Sequence, residues 1–72
     1  MVYCIFTDRK LNRVPKIPKY VTTLILSINN IKDINEDELP QKLTELVLSF
    51  NKIEKISINV LPYTLKNIRF IT

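Results

Sequence analysis

The sequence predicts an α/β repeat fold, a short solenoid with a small parallel sheet of about four strands and few or no full helices. Three observations predict it. First, Val21 to Ile34 (VTTLILSINNIKDI) and Leu43 to Ile56 (LTELVLSFNKIEKI) superpose at an offset of 22, which sets Val21 on Leu43, Leu24 on Leu46, Leu26 on Leu48, Asn29 on Asn51, Ile31 on Ile53 and Ile34 on Ile56. Second, Pro18, Pro40 and Pro62 keep the same spacing of 22. Third, Leu24 and Leu26, like Leu46 and Leu48, stand two apart and share one face of a strand, whereas Ile31 and Ile34 turn inward only after a corner. A single unit cannot bury that apolar side alone, so consecutive units stack.

The whole chain, 1–72, reads as one small domain built from four such units. Residues 1–16 form a shorter, cap-like first unit. In it Val2 and Cys4 take the places of Leu24 and Leu26, and Leu11 and Val14 take those of Ile31 and Ile34. Residues 17–38 and 39–60 are complete units, and 61–72 is a partial one in which Leu65, Ile68 and Phe70 match Val21, Leu24 and Leu26. The connection INEDELPQK is expected to hold a short helical turn, with Asn35 as cap and Glu36, Asp37 and Glu38 where the helix dipole favours acids. SINVLP, from Ser57, is expected to do the same with less helix.

Asn29 and Asn51 fall where a strand ends and the chain bends inward. Backbone groups there lose their strand partners, and a side-chain amide, which both donates and accepts, can satisfy them from inside. The unit LPxxLxxLxLxxNxIxxI resembles the leucine-rich repeat family, whose LxxLxLxxN stretch forms a strand and the turn after it. The string CIFTDRKLNRVPKIP resembles the N-terminal cap of extracellular leucine-rich repeat receptors of the Toll-like group, although Cys4 is alone and no internal disulfide can form. Short length, the missing terminal cap, the Met start and the net charge of +4 suit a small subunit docked in a large complex; the chain as a whole also resembles the lineage-specific ribosomal proteins of reduced-genome parasites such as microsporidia, with no motif that carries this resemblance.

Composition argues against catalysis. The chain has no His and no Gly, hence no imidazole base and no glycine loop for phosphate, and four of its seven acids, Asp33, Glu36, Asp37 and Glu38, sit in one exposed turn instead of converging on a pocket. No metal cluster, cofactor or small-molecule substrate is expected. Cys4 reads as a small inward-facing apolar side chain. No apolar run approaches the roughly 18 to 20 residues of a membrane-spanning helix. With Met1 as the start, a cytoplasmic location is expected.

Two sets of residues are candidates for binding. Arg9, Lys10, Arg13, Lys16 and Lys19 cluster near the front and could follow the phosphates of RNA. Stacking by 22 also lines up Tyr3, Ile25, Val47 and Arg69 on the outer side of the sheet, beside a second row of Ile5, Ser27, Ser49 and Ile71. An apolar stripe on the solvent side of a sheet suggests a covered surface. Phe70 and its open strand add a further protein contact. The functional expectation is therefore a non-catalytic structural or binding subunit docked in a larger assembly, a ribonucleoprotein such as the ribosome, through the basic residues and the open end. The Toll-like resemblance implies instead the N-terminal part of an extracellular receptor that binds a protein ligand.

Overall fold

The computed structural model describes residues 1–70. Four short strands, β1 (Tyr3–Ile5), β2 (Thr23–Ile25), β3 (Glu45–Val47) and β4 (Asn67–Arg69), form one parallel sheet in the order β1-β2-β3-β4. Helix is almost absent, limited to a 3₁₀ turn at Ile58–Val60. Strands adjacent in sequence are adjacent in the sheet, and each connection loops away and returns to lay the next strand alongside in the same direction.

The register shows how the sequence sets this up. β2, β3 and β4 follow one another at a step of 22: Leu24 pairs with Leu46, and Leu46 with Ile68. The ladder runs one residue further, with the Leu26 amide donating to the Val47 carbonyl at 2.9 Å and the Leu48 amide to the Arg69 carbonyl at 2.9 Å. Leu26, Leu48 and Phe70 therefore form the expected column.

β1 departs from expectation. Cys4 pairs with Leu24, not with Leu26, and Ile5 pairs with Ile25, a step of 20. Phe6 heads the inner column instead, its amide donating to the Ile25 carbonyl at 2.8 Å. The two missing residues lie in the connection: Val14 reaches Pro18 through Pro15–Ile17, whereas Ile34 reaches Pro40 through Asn35–Leu39. The shortening thus falls after the corner, leaving strand and corner of the first unit in step with those of the second.

Each strand is entered through the same turn. The amides of Val21, Leu43 and Leu65 donate to the carbonyls of Pro18, Pro40 and Pro62 at 3.3, 3.2 and 3.1 Å, closing a four-residue β-turn with proline at its first position. The carbonyl of Val2 then accepts from both Thr22 and Thr23, that of Thr22 from both Thr44 and Glu45, and that of Thr44 from both Lys66 and Asn67. Beneath this frame the core is aliphatic. Val21, Leu24, Leu26, Ile31, Leu43, Leu46 and Leu48 are fully buried, with Val14, Ile34 and Leu39 closing its side. Each such side chain removed from water contributes about 1.5–3 kcal/mol. Cys4 is half-buried and packs against the same core.

The connections reverse the expectation about helix. Asn35–Glu38 is a plain turn, closed by the Glu38 amide on the Asn35 carbonyl at 3.3 Å, and the 3₁₀ turn lies in the Ser57 connection. Asp37 explains the difference, since at φ 66° it occupies the left-handed region and cannot continue a right-handed turn. The Asn35 amide does bond the Glu38 carboxylate, which is the reciprocal half of a helix cap without the helix.

Candidate interaction face

The strands carry their odd-numbered side chains on the side opposite the core. Register places Ile5, Ile25, Val47 and Arg69 in one row and Tyr3, Thr23, Glu45 and Asn67 in the next. Tyr3 is therefore not in line with Ile25, as a uniform step of 22 would have it; Ile5 is. The correction makes the stripe more uniformly aliphatic. Ile5 is 56% exposed, Ile25 and Val47 are half-buried, and exposed Arg69 ends the row. Thr23, by contrast, is only 2% exposed between its neighbours. Ile71 lies outside the described residues.

Phe70 belongs elsewhere. It stands in the inner column and borders a cavity of about 330 Å³ with Leu48, Asn51, Ile53 and Ile56. It is an exposed extension of the core and not part of the stripe.

The end of this face is fixed by the asparagines. Asn29 is nearly buried, and its Oδ1 accepts from the amides of Arg9 and Leu11, both at 3.0 Å. Its Nδ2 donates to the carbonyls of Phe6 at 2.8 Å and Leu26 at 2.9 Å, with a longer bond to Ser27. Asn51 repeats the arrangement one unit on, donating to Leu26 at 2.8 Å and Leu48 at 3.1 Å and accepting from the Ile31 amide at 3.1 Å. Each amide stitches two coils together, as the spacing predicts.

Two devices escaped the sequence reading. Thr22 and Thr44, also 22 apart, extend the stitching at strand entry: the Thr22 hydroxyl accepts from the Val2 amide at 2.9 Å, and the Thr44 hydroxyl donates to the Thr22 carbonyl at 3.1 Å. Lys66 occupies the next such position, and Thr64 substitutes for it by donating to the Leu43 carbonyl at 2.7 Å. The second device is the residue before each asparagine. Ile28 and Phe50 both have φ 59°, and Asp8, the equivalent residue of the first unit, has φ 56°. A β-branched or bulky side chain in the left-handed region is sterically strained by about 1–2 kcal/mol. Ile28 and Phe50 are nevertheless 48% and 55% exposed, so burial does not offset that cost.

The basic cluster is dispersed. Arg9 and Lys10 are exposed at the β1 corner, whereas Arg13 faces the Glu38 carboxylate at 3.8 Å. Lys16 and Lys19 border a groove whose wall includes Asp37 and Glu38. Acids interrupt the cations that a phosphate track would need to be continuous. Among the described residues no group of three His, Cys, Asp or Glu could hold a metal ion, and no helix is long and apolar enough to cross a membrane.

Residues 32–72 match the family model of the FNIP repeat. The chain belongs to the FNIP repeat family. No curated protein and no solved structure matches it. This corrects the resemblances drawn from sequence: FNIP is a distinct repeat family, so the chain is neither a leucine-rich repeat protein of the Toll-like kind nor a ribosomal protein, and nothing in the match supports the RNA contact expected of the basic residues. The physical reason is plain. Alternate inward leucines and a corner asparagine serve the stacking of parallel strands as such, so the spacing identifies a local geometry and not a family. The FNIP match covers β3, the corner that follows it and β4, where the strands keep a step of 22; the shortened first unit lies outside it.

Proposed function

We propose that this FNIP repeat chain is a short solenoid acting as a non-catalytic binding module, whose strand face takes a protein partner within a larger assembly. One observation carries the reading: Ile5, Ile25 and Val47 line up across three adjacent strands on the side away from the core, and Arg69 ends the row. Sheets with one solvated face normally alternate apolar inside with polar outside. Here the outer row is aliphatic while the inner positions already supply a complete core. Half-buried aliphatic side chains framed by a charged residue have the composition of an interface centre and its rim.

A single thiol with no disulfide partner in the chain supports a cytoplasmic placement of the module. The test is the double substitution Ile25→Thr/Val47→Thr, which keeps β-branched side chains on the strands and removes apolar surface. In native host lysate the unmodified chain is expected to elute far above its own 8.5 kDa, and the variant at its own mass with an unchanged circular dichroism spectrum. Elution of the unmodified chain as a free 8.5 kDa species, or no difference between the two, overturns the reading.

A further inference from the structure

The two-residue deficit of the first unit leaves a groove. Where the second unit bulges out through Asn35–Glu38, the first cuts straight across, and a groove of about 740 Å³ opens beside the longer connection. This lies within the roughly 300–1,000 Å³ of known ligand clefts. It is lined by connection residues and by no strand residue, so it is separate from the face described above.

Its chemistry is specific. Val14, Ile17 and Leu39 supply an apolar lining. Lys16, Lys19 and Lys42 are exposed along it. Two carboxylates share the wall, but Glu38 is already engaged by Arg13 and by the Asn35 amide. Asp37 is thus the one carboxylate of the lining with no ion-pair or hydrogen-bond partner among the described residues, against three ammonium groups.

We infer that this groove binds a short extended acidic peptide, with aliphatic side chains against Val14, Ile17 and Leu39 and carboxylates meeting Lys16, Lys19 and Lys42. Aliphatic contact alone would not select the sign of the ligand, and lysines on an open surface would not select its apolar content. The groove selects both.

The probes are two capped hexapeptides, one alternating Leu with Glu and one alternating Leu with Lys, titrated into the ¹⁵N-labelled full chain. The acidic peptide is expected to shift the amides of residues 14–19 and 37–42, to weaken with added salt, and to bind at least tenfold more tightly than the basic one. Two variants separate groove from charge. Lys16→Glu/Lys19→Glu alters only exposed side chains and is expected to lose the acidic peptide at least tenfold. Inserting Ser-Ser between Pro15 and Lys16 restores the step of 22, fills the groove and leaves the charge unchanged, and is expected to abolish binding too. Equal response to the two peptides, no response to either, or full binding by the insertion variant overturns the proposal. None of these outcomes bears on the strand face, whose Ile25 and Val47 remain intact in every variant.

Discussion

Asn29→Ala should be among the most damaging substitutions on this chain, and Asn51→Ala should be distinctly milder. Truncating Asn29 strands two amides, Arg9 and Leu11, that its Oδ1 now accepts, and withdraws the donor serving the Phe6 and Leu26 carbonyls. Leaving a buried polar group unsatisfied costs about 1–3 kcal/mol. Three of these four bonds are only part-buried and the groups are neighbours that relax together, so the losses do not simply add; a total of about 2–4 kcal/mol is expected. Chains of 72 residues hold about 4–11 kcal/mol in all, so the variant should lie close to its unfolding transition at 25 °C. Asn51 is half-buried, and its Oδ1 accepts from a single described amide, that of Ile31. Water can also replace part of what is lost there, which limits the cost to about 1–2 kcal/mol. Asn29→Asp supplies the control, because a carboxylate still accepts from Arg9 and Leu11 but cannot donate to Phe6 and Leu26, so it should fail nearly as badly as alanine. Urea unfolding followed by circular dichroism measures all three. An Asn29→Ala cost below about 1 kcal/mol, or an Asn51 cost equal to it, would refute the view that the amide and not its volume holds the coils together.

Three further outcomes follow from the same geometry. Phe50→Asn and Ile28→Asn should each raise stability by about 1 kcal/mol, a rise in Tm of roughly 4–8 °C, because asparagine tolerates the left-handed region; a fall in Tm shows that these side chains contribute packing the strain argument ignores. Leu46→Ala, at a fully buried site in the third strand, should cost about 2–5 kcal/mol and lower the calorimetric midpoint sharply, whereas Ile5→Ala on the outer row should change the midpoint little. Arg13→Ala should cost under about 1 kcal/mol, since its contact with Glu38 is long and Arg13 is exposed; a larger loss in a urea titration would mean the pair anchors the connection.

The register of β2, β3 and β4 was legible because Leu, Pro and Asn recur there together at 22, and only one alignment satisfies all three. β1 was misplaced for a reason built into strands. A slip by two residues keeps every side chain on its own face, so Val2-x-Cys4 and Cys4-x-Phe6 present the same alternation, and hydrophobic pattern cannot choose between them. The deciding feature was the distance from Val14 to Pro18, a property of the connection. The asparagine stitching could be read from Asn29 and Asn51 because an amide at a corner has a distinct task. The threonine stitching was missed because Thr is also an ordinary strand residue, and the spacing of Thr22 and Thr44 was its only signal. The left-handed corners were hidden altogether, since Ile and Phe are among the last residues composition would place at positive φ.

That last mismatch bears on function. A sequence specifying only this fold would place Asn or Asp at the left-handed residue that follows each strand, as the first unit does with Asp8, although Lys10 two residues on is left-handed as well. The second and third units place Ile28 and Phe50 there, exposed, at a steric cost that the small core must absorb. Both stand three positions beyond Ile25 and Val47 on the same two coils, so the departures from local rules gather where the outer aliphatic row also lies. If the partner covers the corner as well as the strands, Phe50→Asn will raise Tm yet weaken association, whereas if it covers the strands alone Tm will rise with association unchanged. A variant with lower Tm and undiminished association would show that the corner residues serve the fold after all, and would leave Ile5, Ile25 and Val47 as the whole of the proposed binding surface.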